Sequence, residues 1–204
     1  MPKFNEHEKQ HIRELLLNKG KELFVQYGLK KTSIDDIVQA CGIAKGSFYR
    51  FFPSKEELYY EILRQEEAFT GDIIAELKGL DLPPAQLIEK LFYDSFQAIE
   101  RSPFLSMVMR GYDWAQLIRK LPPEAMEEHT EADQQLGREL FAKWQKEGKL
   151  APLDPDVITG MLRAVLLLSQ HRQELGPLFD DIIVQLIRSI ALGISAKPEK
   201  APRS

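Results

Sequence analysis

The chain has 204 residues, enough for one or two small domains with a true core. A hydrophobic content of 44% and a charged content of 28% are ordinary for a globular protein, and no apolar run approaches the roughly 20 residues of a membrane span. A net charge of −4 excludes a protein basic throughout, and the lone Cys41 excludes an intramolecular disulfide.

The start, MPKFNEHEKQ, is polar and lacks a secretion-signal core, so a cytoplasmic protein without a membrane anchor is expected. A first helix is predicted from about Glu6 to Tyr27. Ile12, Leu15, Leu16, Leu23, Phe24 and Tyr27 recur at helical spacing, and Gly28 supplies the stop. His7 and His11 lie four apart but have no evident carboxylate or cysteine partner, so no metal is expected there. From Thr32 to Leu58 the chain reads as two short helices joined by a tight turn, with a third starting behind them. Ser33 can cap the first, Asp35 and Asp36 suit its positive end, and Ile34, Ile37 and Val38 form its apolar stripe. Gly42 stops it as a left-handed glycine would. The second runs from about Lys45 to Phe52, with Phe48 and Phe52 facing inward and Lys45, Ser47, Tyr49 and Arg50 left outside. Pro53 ends it, and Ser54 with Glu57 forms a capping box for the next helix.

This order is that of a helix-turn-helix, although an αα-corner in a helical core has the same spacing. The second helix suits the major groove, being short, small at its start and carrying one Lys and one Arg. Residues 1–54 carry nine Lys/Arg against six Asp/Glu, whereas the remainder is acidic. A basic head on an acidic body can hold DNA at one end.

In detail, GLKKTSIDDIVQACGIAKGSFYRFFPSKEELYYEIL resembles the N-terminal domain of the TetR family of bacterial transcriptional regulators, over about Ile12 to Ile62. The resemblance rests on the Gly-Ile turn, the Lys-Gly-Ser-Phe-Tyr recognition helix and the Phe-Pro-Ser-Lys-Glu-Glu-Leu that follows. It implies a head whose Thr32, Ser33, Lys45, Tyr49 and Lys55 meet DNA at or beside the phosphates, with Gly46, Ser47 and Arg50 for base edges. It also places Gly20 where a small residue lets helices pack closely. Phe51 departs from the polar residue of many relatives, and could pack on the first helix or touch a thymine methyl.

A helix from Ser54 to about Leu77 follows, then the loop GLDLPP and a helix over Ala85–Glu100. The segment from Pro103 gathers Phe104, Met107, Met109, Tyr112 and Trp114, side chains that suit a small-molecule pocket and equally a core. A long helix from Pro122–Pro123 to about Gly148 carries Trp144 on its inner side. Two C-terminal helices, about 155–174 and 177–195, are apolar on more than one face. Met161, Val165, Leu166, Leu168, Ile183, Ile187 and Ile190 are the candidate interface of a homodimer, unless the pair is buried in a monomer. The resemblance implies the same dimer, and an inducer pocket for which Phe92, Phe96, Met107, Tyr112, Trp114, Trp144 and His171 are candidates.

The reading is therefore all-α, with about nine helices. Residues 1–53 form a three-helix helix-turn-helix domain, 54–195 an effector-binding and dimerisation domain, and 196–204 a disordered tail. No nucleotide loop, nucleophile elbow or Cys/His metal pattern is present, so neither catalysis nor a cofactor is expected. The expected function is a regulator, repressing from a palindromic operator until a small hydrophobic or aromatic effector releases it. The alternative is a helical binding module or enzyme with a vestigial head.

Overall fold

Asn5 begins the first helix with a reciprocal pair of hydrogen bonds: its Oδ1 accepts from Glu8 N at 2.8 Å, and Glu8 Oε2 accepts from Asn5 N at 2.8 Å. The computed structural model describes residues 5–111 and 114–195, so the tail, Tyr112 and the side chain of Trp114 lie outside the described residues. In chain order the helices are α1 (Glu6–Lys31), α2 (Ile34–Cys41), α3 (Lys45–Phe48), α4 (Lys55–Glu66), α5 (Phe69–Lys78) and α6 (Pro84–Arg101). There follow α7 (Pro103–Met109), α8 (Trp114–Lys120), α9 (Pro123–Lys146), α10 (Pro155–Leu167), α11 (Arg172–Leu175) and α12 (Phe179–Ile194). Among the described residues there is no strand, only an isolated bridge between Leu150 and Ser195. None of the described helices is long and apolar enough to cross a membrane.

The chain divides into two compact units, residues 1–68 with 102–126, and residues 69–101 with 127–204. This division does not follow the sequence-based cut at residue 53, because α4, α7 and α8 pack with the head. The first unit is organised on α1, which meets α2, α4 and α7. Its buried stripe is Ile12, Leu16, Leu17, Gly20, Phe24 and Leu29, while Tyr27, expected on that stripe, is exposed. A Cβ on Gly20 would lie 2.8 Å from Leu58 Cδ2, so the missing side chain sets the α1–α4 distance. Tyr59 of α4 lies between Phe24, at 5.1 Å between ring centroids, and Phe104 of α7, at 4.9 Å.

The single helix expected over 54–77 is two. α4 ends at Glu66, and α5 begins at Phe69. The buried face of α4 (Leu58, Tyr59, Ile62, Leu63) meets Glu66 and Glu67 where it should continue. Glu66 is held instead by polar partners: Lys21 Nζ donates to one oxygen at 2.6 Å, and Ser102 Oγ donates to the other at 2.6 Å. Ser102 Oγ also accepts from Leu105 N at 3.1 Å and so caps α7. One carboxylate thus joins α1, α4 and α7.

The second unit is built round α6, which meets α5, α10 and α12. Leu87, Ile88, Leu91, Phe92 and Phe96 of α6 share a core with Phe141 and Trp144 of α9, Ile158 and Val165 of α10, and Phe179, Ile183 and Ile187 of α12. A Cβ on Gly137 would meet Thr159 Oγ1 at 2.8 Å, so α9 and α10 also pack closely through a glycine. Arg172 lies over the Phe179 ring at 4.2 Å and bonds Glu100 and Asp180, pinning the turn before α12 to the end of α6. The helix expected over 155–174 stops at Leu167 and passes through a 3-10 turn into α11.

Candidate nucleic-acid interface

Local chemistry shapes the segment from Ser33 to Phe52. Ser33 Oγ accepts from Asp36 N at 3.1 Å while donating to Asp36 Oδ2 at 2.6 Å, and Ser33 N donates to the same oxygen at 2.9 Å. The Ser33 hydrogen bonds hold the Asp36 carboxyl below its usual range. At the other end Gly42, with φ 65°, lets its N–H reach Gln39 O at 3.2 Å and the Ile43 N–H reach Val38 O at 3.0 Å. That paired closure makes the tight turn. α3 then starts at Lys45, fixed by its Nζ donating to Asp35 Oδ2 at 2.9 Å, a bond that raises the lysine's basicity.

α3 is shorter than expected, because beyond Phe48 the bonds tighten: Arg50 N reaches Ser47 O at 3.1 Å, and Phe51 N reaches Phe48 O at 2.9 Å. Pro53 disfavours a helical Phe52, so the final turn winds down before it. Phe48 and Phe52 are buried, whereas Lys45, Gly46, Tyr49 and Arg50 are exposed and Ser47 is half-buried. The Tyr49 ring stands edge-on to Phe48 at 5.6 Å and is 52% exposed. A Cβ on Gly46 would meet nothing within 4 Å, so a backbone or base edge can approach there. This is a polar, small-stepped surface on a rigid apolar footing. Cys41 behind it is buried near Leu15 O, and burial raises its thiol above the usual value, away from reactive thiolate character.

Two expected phosphate contacts have interior roles. Thr32 is 1% exposed, and its hydroxyl donates to Gly28 O at 2.8 Å, closing α1 beyond the kink at Gly28 (φ 77°). Lys55 Nζ donates to Leu29 O at 2.7 Å and to Thr32 O at 2.6 Å, so its charge caps the negative end of α1. Lys55→Met is therefore expected to lower stability by about 2 kcal/mol, read as a urea midpoint, while the salt dependence of DNA binding keeps its slope. A lower slope at unchanged stability would return Lys55 to the phosphates.

The pocket candidates fall in different places. Phe92, Phe96 and Trp144 are buried together in the second unit's core, Met107 is half-buried in the first unit, and His171 is exposed with Nδ1 2.9 Å from Glu174 Oε2. Of the candidate interface residues, Val165, Ile183 and Ile187 are buried in their own unit, and Met161, Leu166, Leu168 and Ile190 are half-buried against its core. The apolar residues left outside are others: Val157 and Leu167 on α10, and Ile182, Val184 and Leu192 on α12, at 49%, 42%, 38%, 36% and 63% exposure. The sequence signal was an apolar position just off the buried 179-183-187 row, which periodicity alone does not assign to a face. No group of three or more His, Cys, Asp or Glu among the described residues could hold a metal ion.

Known proteins bear the same arrangement. The family model described as "Bacterial regulatory proteins, tetR family" matches residues 16–62, from within α1 to within α4. The HTH-type transcriptional regulator RutR of Escherichia coli K12 is 30% identical over 158 residues, covering 74% of this chain and 70% of RutR. The HTH-type transcriptional repressor KstR2 of Mycolicibacterium smegmatis is 28% identical over 153 residues, 74% of each chain. The solved structure of the ketosteroid transcriptional regulator KstR2 of Mycobacterium tuberculosis superposes with a TM-score of 0.63 at 25% identity, over 96% of this chain and 98% of that one. A capped α2, a glycine turn and an exposed α3 on a buried Phe48–Phe52 footing are thus the helix-turn-helix of a DNA-binding transcriptional regulator, and the chain belongs to the TetR family.

Proposed function

We propose that the protein is a cytoplasmic homodimeric repressor that reads a palindromic operator with α3 and leaves it when a small hydrophobic or aromatic effector binds the second unit. The observation that carries the DNA reading is the grouping of Gly46, Ser47, Tyr49 and Arg50 along α3 and the turn that follows it, above buried Phe48 and Phe52. A flexible donor on Arg50 suits guanine O6 and N7, and a Tyr49 hydroxyl suits a phosphate, with Lys45 and Ser33 beside them.

Dimerisation is supported by the outer face of α10 and α12. Val157, Gly160, Ala164 and Leu167 share the exposed side of α10, where two small residues permit a close helix approach; Ile182 and Leu192 lie away from the buried side of neighbouring α12. By the general geometry of helix-turn-helix dimers, the two half-sites would lie about one helical turn of DNA apart, ~34 Å. An effector that takes operator occupancy from 99:1 to 1:99 needs about 5.5 kcal/mol of preference for a dimer with the wrong spacing.

The test compares Arg50→Ala with Tyr49→Phe on a set of operator base variants. Arg50→Ala should cost about 10–100-fold on the best site and flatten discrimination at one base pair of each half-site, whereas Tyr49→Phe should weaken every site alike. Unchanged discrimination in Arg50→Ala would remove it from base readout.

A further inference from the structure

The first unit carries a groove of about 850 Å³ that the reading of α3 does not use. It runs between the first two turns of α1 and the turn that ends the recognition segment, lined by His7, Lys9, Gln10 and Arg13 on one side and Arg50 and Phe51 on the other. Its lining includes three cations, Lys9, Arg13 and Arg50, and one carboxylate, Glu6.

The two walls are held rigidly. Arg13 lies over the Phe52 ring at 5.5 Å and donates to Glu61 Oε1 at 2.7 Å, tying α1 to the end of α3 and to α4. Arg13 is therefore committed within the protein. Lys9 is not: its Nζ meets Glu6 Oε1 at 2.6 Å, and the Glu6 side chain is 89% exposed. Such a pair in water contributes little to stability, so a phosphate oxygen can replace the carboxylate at little cost. Phe51, whose role the sequence leaves open, is half-buried and faces this groove.

We propose that the groove seats the sugar-phosphate backbone of duplex DNA just outside the base pairs met by Arg50, with Lys9 as phosphate ligand and Phe51 as the apolar wall against a deoxyribose. This rests on the reading that α3 enters the major groove. Given that, a strand leaving the end of α3 on the Arg50 side passes the first turns of α1. The footprint of each half-site is then wider than the base pairs α3 reads, and the added contact is indifferent to sequence.

The full-length dimer and a duplex recovered by selection provide the test. Lys9→Gln should weaken binding on all sites alike. Over 50 to 200 mM salt the wild-type advantage should shrink about tenfold, as expected for two phosphates per dimer at about 0.9 each in the logarithmic slope. Lys9→Arg should keep the wild-type slope, and phosphate ethylation outside the half-site should interfere with wild-type binding but not with Lys9→Gln. Parallel salt plots for wild type and Lys9→Gln, with Tyr49→Phe still weakening every site alike, would overturn the groove contact and leave the α3 reading standing. If neither variant weakens binding, or the wild type binds no duplex, both fall. An unchanged urea midpoint for Lys9→Gln is expected, since the residue's contacts are exposed.

Discussion

Ile182→Glu combined with Leu192→Glu is expected to turn the protein into a monomer and to reduce operator affinity by at least ~100-fold. Both side chains are exposed in the isolated chain, so the substitutions leave its own core intact. In a two-fold dimer each occurs twice, so four apolar side chains leave the interface. At about 1.5 kcal/mol each that is about 6 kcal/mol, before the cost of bringing four carboxylates together in an apolar contact. A monomer then meets one half-site alone and loses the effective concentration that linkage supplies. Light scattering reads the mass and gel shift reads the affinity. A dimer that survives both glutamates would place the interface elsewhere.

The second large effect concerns Gly20. Gly20→Val is expected to destabilise by about 2–3 kcal/mol, read as a fall in urea midpoint, because the added methyls meet Leu58 and Ile62 in a packed core. Gly20→Ala should be far milder. Alanine gains about 0.5–1 kcal/mol of helix propensity over glycine, which offsets part of the push against Leu58 Cδ2. The steep step from Ala to Val is the signature of a close α1–α4 approach. Equal stability of all three would mean that the two helices stand further apart. Since α1 packs on α2 and α2 on α3, DNA affinity should fall in step with stability at Val.

The helix-turn-helix was legible because its determinants are local. Ser33 and Asp36, Gly42, Pro53 and Ser54 act within a few residues of themselves, and their chemistry reads directly from spacing. The inward pair Phe48 and Phe52 was legible for the same reason. Lys55 and Thr32 were not, since what they touch, Leu29 O and Gly28 O, depends on how α1 ends against the start of α4. The break after Glu66 was hidden likewise: Lys21 and Ser102, 45 and 36 residues away, decide where that carboxylate points. Apolar stripes on α10 and α12 located a buried face but could not say which residues remain outside, because a helix with two apolar faces offers no polar contrast. Among the pocket candidates, Phe92 and Phe96 share a helix face with core partners, while Met107 belongs to the other unit. Aromatic character alone does not choose between core and cavity.

On the proposed reading, two copies of α3 bind DNA together. Selection of bound sequences from a random duplex pool by the purified full-length protein tests it most directly. Recovery of an inverted repeat with half-site centres about 10 base pairs apart is expected, bound with an affinity that falls steeply as salt rises. Recovery of a single unrepeated half-site, or of no enriched sequence before and after removal of bound small molecules by unfolding, dialysis and refolding, would contradict it.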